Sequence, residues 1–267
     1  MTTASRVLES RQVRYGDETT IHYTVSGPAD GPVMVLIHGW ACDRRDYDEI
    51  SAHLPRDLRV VAVDLAEHGE SRSTRTSYSM AAFAGDVVAV LEAEDVSDAI
   101  VVGHSLGGAV AVEVALAAPV RVARVIALDA LHYTFLFGAL DDAQADAFLT
   151  LLRDDFPGLV RSMVEAGSPE GTDEALKDAY FAKMVAVRQP AGSAAYEGLV
   201  RWDMEKALAA VTRPVTVYAV REMLNPESVA HLEGRVEAVV PIDLGSHHFG
   251  VENPTGTAAL LAAVAAR

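Results

Sequence analysis

Cysteine is almost missing from this chain. Cys42 is the only one in 267 residues, and a lone thiol excludes an intrachain disulfide framework. Basic residues are scarce too, 22 Lys plus Arg against 38 Asp plus Glu, which leaves a formal net charge of −16. That excess of acid disfavours phosphate backbones and anionic bilayers, so neither nucleic acid nor membrane is expected as a partner. No run approaches the roughly 18 apolar residues of a membrane span, and the opening stretch MTTASRVLESRQVRYGDE has no signal-like apolar segment. A soluble, cytoplasmic protein is the expectation, with its oligomeric state left open. No G-x-G-x-x-G follows an apolar run and no His/Cys cluster has metal-ligand spacing, so no cofactor and no metal are expected.

Half the residues are hydrophobic and 22% are charged, a composition that folds around a real core. Short apolar runs at Val33–Ile37, Leu58–Val63, Ala99–Val102, Val122–Leu128, Val215–Val220 and Val236–Ile242 read as strands buried on both faces. A polar hairpin over Arg11–Val25 precedes them. Helical patterns lie between or after the runs, at Tyr47–Leu54, Met80–Ala93, Leu106–Ala118 and Thr255–Ala266. This alternation predicts an α/β fold with a doubly wound, mostly parallel sheet.

One stretch breaks the alternation. After the sixth strand, residues 132–209 contain only helix-like segments (Asp142–Arg153, Leu159–Glu165, Asp173–Val187 and Tyr196–Ala209). So long a connection predicts a helical cap subdomain, with residues 1–131 and 210–267 forming the core domain. Much of the aromatic content lies there, and part of it is expected to face a pocket.

Gly103-His104-Ser105-Leu106-Gly107 fits G-x-S-x-G and sits directly between the strand at Ala99–Val102 and the helix at Leu106–Ala118. In that context the flanking glycines permit a sharp turn that exposes the serine oxygen, with a helix N-terminus beneath it to favour negative charge. A serine hydroxyl needs a base. His247 and His248 follow the last strand and are the candidates. Here the chain resembles the α/β-hydrolase family, over residues 20–131 and 210–267. The family's catalytic histidine is commonly followed at five residues by an acid and at seven by Pro; counting from His247 gives Glu252 and Pro254.

The resemblance implies a serine nucleophile, Ser105, and an orienting carboxylate. Most relatives place that acid after the penultimate strand, where this chain offers only Glu222; some place it one strand earlier, where Asp129 ends the run Val125–Leu128. Asp129 is the preferred assignment and Glu222 the second. His38-Gly39-Trp40 resembles the family's oxyanion loop, so the N–H groups of Trp40 and Leu106 are the expected oxyanion donors. Asp64 to Ser71 resembles another family turn, with Glu67 in place of the usual Gly. Expected substrate contacts are His38, Trp40, His104, His132, Tyr133, Phe135, Phe137 and His248.

Two activities compete. One is a serine hydrolase that cleaves an ester, thioester or lactone of a neutral apolar or aromatic small molecule through an acyl-enzyme. The other is a cofactor-independent dioxygenase of the 3-hydroxy-4-oxoquinoline type, a distant branch of the same family. Those relatives carry histidines where this chain has Leu106 and Cys42, which argues for the hydrolase.

Overall fold

The computed structural model describes residues 6–16, 19–133 and 140–267. The chain opens with a hairpin, β1 (Glu9–Tyr15) and β2 (Thr19–Ser26), followed by β3 (Val33–Ile37), α1 (Asp48–His53), β4 (Arg59–Val63) and α2 (Met80–Ala93). Then come β5 (Ala99–His104), α3 (Leu106–Ala117) and β6 (Val122–Leu128). Among the described residues, five helices separate β6 from the next strand: α4 (Asp142–Asp154), α5 (Phe156–Ala166), α6 (Glu174–Val185), α7 (Ala191–Val200) and α8 (Met204–Ala210). The chain closes with β7 (Val215–Val220), α9 (Pro226–Leu232), β8 (Ala238–Ile242), α10 (Phe249–Glu252) and α11 (Pro254–Ala265).

The strands form one sheet in the order β1-β2-β4-β3-β5-β6-β7-β8. β2 pairs antiparallel with β1 and with β4, and every later pairing is parallel. The reason lies in the side chains. In β3, Val35 and Ile37 join the apolar layer containing α2 and α3, whereas Met34 and Leu36 join the layer of α1 and α11. Val61 and Val63 of β4 divide from Val60 and Ala62 in the same way. A strand covered on both faces needs apolar residues at every position, which only crossover helices on both sides can provide. β2 instead alternates over most of its length, with Ile21, Tyr23 and Val25 buried and Thr20, His22 and Thr24 half-buried, as suits a strand near the sheet edge.

Side chains fix where the helices begin. Ser79 accepts from the Ala82 N–H at the start of α2, Asp141 and Gln144 form a reciprocal capping box on α4, and Asp203 accepts from the Lys206 N–H at α8. The segment Tyr196–Ala209, which reads as one helix in the sequence, is therefore two. α7 ends at Val200 and Asp203 starts α8. β8 starts two residues later than the apolar run at Val236. No helix among the described residues is long and apolar enough to cross a membrane.

Candidate active site

Parallel strands of this order place their C-terminal ends, and the loops that follow them, along one edge of the sheet, where ligands of open α/β sheets bind. β5 ends there at His104. Ser105 follows with φ 54° and ψ −122° and directly precedes α3. This backbone is unfavourable for a residue with a Cβ and typically costs about 1–3 kcal/mol. The surroundings hold it: the Ser105 N–H donates to the Leu128 carbonyl at 3.0 Å. A Cβ on Gly103 would overlap the Gly107 carbonyl, and one on Gly107 would overlap the Ile37 carbonyl, so both motif glycines are required by close approach.

β6 ends beside it, and Asp129 leaves the sheet with φ 44°. Its carboxylate is fully buried. Oδ1 accepts the Val220 N–H at 2.8 Å, and Oδ2 accepts from His247 Nδ1 at 2.6 Å. Burial alone would raise this carboxyl, but the His247 and Tyr133 donors and nearby His132 outweigh it and bring it down to about 2. The His247 backbone is fixed at both ends. Its N–H donates to the Gly167 carbonyl at 2.8 Å, and its carbonyl lies 2.7 Å from His104 Nε2. Glu222, the second-ranked acid in the sequence, lines the cavity, and it is Asp129 that contacts the imidazole.

A cavity of about 610 Å³ opens above these residues. Ser105, His104, His247, His248, Trp40, His132 and Tyr133 all line it, together with Phe148, Leu159, Met163, Met184 and Tyr196 from the helices between β6 and β7. Trp40 is wedged edge-on against Phe156 and Tyr196, and its indole N–H donates to the Gly192 carbonyl at 2.7 Å. Among the described residues, neither the backbone N–H of Trp40 nor that of Leu106 donates to a backbone carbonyl outside the helices and strands. His248 stacks on Tyr180, and burial first, then the neighbouring histidines, push its imidazole well down. His104 is pushed down to about 3 by loss of solvent and by the neighbouring His247. Phe135 and Phe137 lie outside the described residues.

His38 corrects the expectation of a substrate contact. It is buried, with Nδ1 2.7 Å from the Gly39 carbonyl and Nε2 accepting the Leu65 N–H at 3.1 Å, and it is not among the described residues lining the large cavity. Both ring nitrogens are spent on the backbone of the β3 and β4 loops. Glu67 keeps φ 62° in its turn, where Gly is the usual residue. Its carboxylate accepts the Ser73 N–H at 2.7 Å and pairs with Arg188 at 3.1 Å.

Sequence reasoning did not single out Gly167 or Met223. Gly167 belongs to a Gly-Ser-Pro stretch that reads only as punctuation, and nothing local marks its carbonyl as the acceptor for His247. Met223 lines the cavity with its sulfur 3.2 Å from the Tyr133 hydroxyl. No group of His, Cys, Asp and Glu among the described residues has the arrangement of a metal site.

The alpha/beta hydrolase fold family matches residues 32–164. The chain is 40% identical over 120 residues to a non-heme chloroperoxidase of Streptomyces lividans, a match covering 44% of each chain. It thus spans under half the length of the first curated relatives it matches. An esterase of Rhodococcus sp. ECU1013 superposes with a TM-score of 0.74 at 25% identity, over 96% of this chain and 98% of its own. The enol-lactonase of Burkholderia xenovorans LB400 shares the fold, with a TM-score of 0.77 at 18% identity over 93% and 97% of the two chains. With a serine elbow after the fifth strand of a sheet in this order, and with these matches, the chain belongs to the α/β-hydrolase fold superfamily.

Proposed function

We propose that the protein is a serine hydrolase that cleaves an ester, thioester or lactone of a neutral, apolar or aromatic small molecule. The observation that carries this reading is the 2.6 Å contact between His247 Nδ1 and the buried Asp129, in a cavity that Ser105 also lines. With Nδ1–H held by the carboxylate, Nε2 is the nitrogen left to take a proton. Ser105 Oγ attacks the substrate carbonyl, His247 takes its proton, and the Trp40 and Leu106 N–H groups receive the developing oxyanion. His247 then returns the proton to the leaving alcohol, thiol or enol. A water molecule activated by the same imidazole releases the acid and restores Ser105.

The named activities of the Rhodococcus esterase and the Burkholderia enol-lactonase are consistent with acyl transfer on this fold. The helices α4–α8 act as a cap that forms the acyl pocket, and the large apolar side chains they contribute favour apolar or aromatic substrates. The described lining includes Glu170 and Glu222 but no Lys or Arg, which disfavours anionic substrates.

The test is fluorophosphonate labelling together with a chromogenic ester series of short to medium acyl chains. Ser105→Ala is expected to abolish labelling and hydrolysis while leaving circular dichroism unchanged. Full turnover in that variant would exclude the acyl-enzyme. Oxygen uptake with a hydroxyquinolone in place of ester cleavage would favour the dioxygenase instead. Within the ester series, neutral substrates are expected to exceed anionic analogues of equal size in kcat/KM. A preference for the anionic analogue that survives high salt would overturn the assigned pocket chemistry.

A further inference from the structure

Two donors meet on one oxygen of Asp129. His247 Nδ1 lies 2.6 Å from Oδ2, and the Tyr133 hydroxyl donates to the same Oδ2 at 2.5 Å. The hydroxyl oxygen and the ring nitrogen stand 3.4 Å apart, side by side on their common acceptor. The other oxygen, Oδ1, is held by the Val220 N–H, with His132 Nε2 at 3.5 Å. The carboxylate is therefore pinned at both ends, and its plane is set by groups outside the histidine.

Tyr133 reaches this position because the chain folds back on leaving β6. Asp129 and Leu131 both adopt positive φ, 44° and 69°, which returns the fourth residue after Asp129 over its carboxylate. The His132 ring packs on Tyr133 at 3.9 Å, and Tyr133 stands edge-on to His247 at 5.6 Å. A phenol has one proton to donate. The charged oxygen at 2.5 Å takes it, and the Met223 sulfur at 3.2 Å is a packing neighbour.

Resting on the hydrolase reading above, we propose that Tyr133 is a positioning residue that shares the Asp129 carboxylate with His247 and so limits how strongly that carboxylate holds a proton on the base. The physical reason is competition for charge. A donor already on Oδ2 withdraws electron density that would otherwise stabilise an imidazolium. Among the described residues, the titratable groups next to His247 are Asp129, Tyr133 and His132 at the exit of β6, His104 at the end of β5 and His248 on its own loop, while Glu170 and Glu222 also line the cavity. His104, His132 and His248 are all shifted toward the neutral form by burial. Asp129 is thus the charge in contact with the imidazole, and Tyr133 is the group placed to moderate it.

The experiment uses the full chain with Tyr133→Phe, and separately with 3-fluorotyrosine at 133, which keeps the shape and strengthens the donor. In Tyr133→Phe the acid limb of kcat/KM is expected to move to higher pH by about half a unit to one unit, and kcat to fall more than KM changes. The fluorotyrosine protein is expected to move the limb the other way. Proton NMR of the His247 Nδ1–H, recorded in the Ser105→Ala background, is expected to shift downfield in Tyr133→Phe and upfield with fluorotyrosine. If the acid limb and the Nδ1–H resonance stay put in both proteins, the proposal is overturned. The fluorotyrosine arm decides the matter if Tyr133→Phe does not fold. The NMR readout needs no turnover, so absence of ester cleavage would defeat the hydrolase reading without deciding the role of Tyr133.

Discussion

Asp129 and Glu222 both sit at strand ends above the sheet, yet only one carboxylate touches the imidazole. Asp129→Asn is expected to lower kcat by about four orders of magnitude, because the amide cannot hold the Nδ1–H tautomer. Glu222→Gln is expected to leave kcat within about threefold, since a group at the cavity wall affects binding more than the proton transfer. Initial rates with one neutral ester check both, and the reverse pattern would transfer the orienting role to Glu222. In the sequence Asp129 stands out because a buried apolar run ends in that residue, and in the structure its carboxylate contacts His247. The place of Tyr133 was not legible in the sequence, since it depends on two left-handed residues, Asp129 and Leu131, that bend the chain back. His38 was misread for a related reason: the sequence locates the loop, but the direction of its imidazole is set by the Leu65 N–H from a different strand connection.

Elements were readable to the extent that burial made them so. β6 and β7 begin and end where their apolar runs do, because both faces of each strand are covered. The short helix α9 has no apolar stripe long enough to stand out, although Asn225 caps it and Pro226 opens it, a recognisable start signal. The elbow between β5 and α3 is the junction with least tolerance. Gly103→Ala places a methyl group on the Gly107 carbonyl, which is backbone and has nowhere to go. A loss of about 3 kcal/mol or more is expected, read as a fall in the thermal midpoint and in soluble yield. Retention of the parental midpoint would mean that β5 and α3 can separate, contrary to the close approach described above.

Across the whole molecule, four of the nine histidines, His38, His68, His132 and His248, are buried, and His104 is half-buried. Burial, with His38 beside it, pushes His68 down to about 3, and His104 is pushed down as far; His38, His132 and His248 are shifted in the same direction. Unfolded, each titrates near about 6.5, so below that pH the unfolded chain binds more protons than the folded one. Their stabilising contribution is complete above about 6.5 and declines as pH falls toward 3, each site costing up to about 1.4 kcal/mol per pH unit. The thermal midpoint is expected to drop steadily between pH 7 and pH 5, and His68→Gln to flatten that slope. An unchanged slope in His68→Gln would remove His68 from the cause. The doubly wound, mostly parallel sheet followed from the alternation of apolar runs and helical patterns, whereas the contact between the inserted helices and the His247 loop had no local signal. That contact, the Gly167 carbonyl on the His247 N–H, has a consequence for protein engineering. Grafting the α4–α8 segment from a relative to change selectivity would also replace the acceptor that seats the proposed base. Selectivity and turnover are therefore not independently exchangeable modules here, and a successful chimera must supply a carbonyl at the same point above His247.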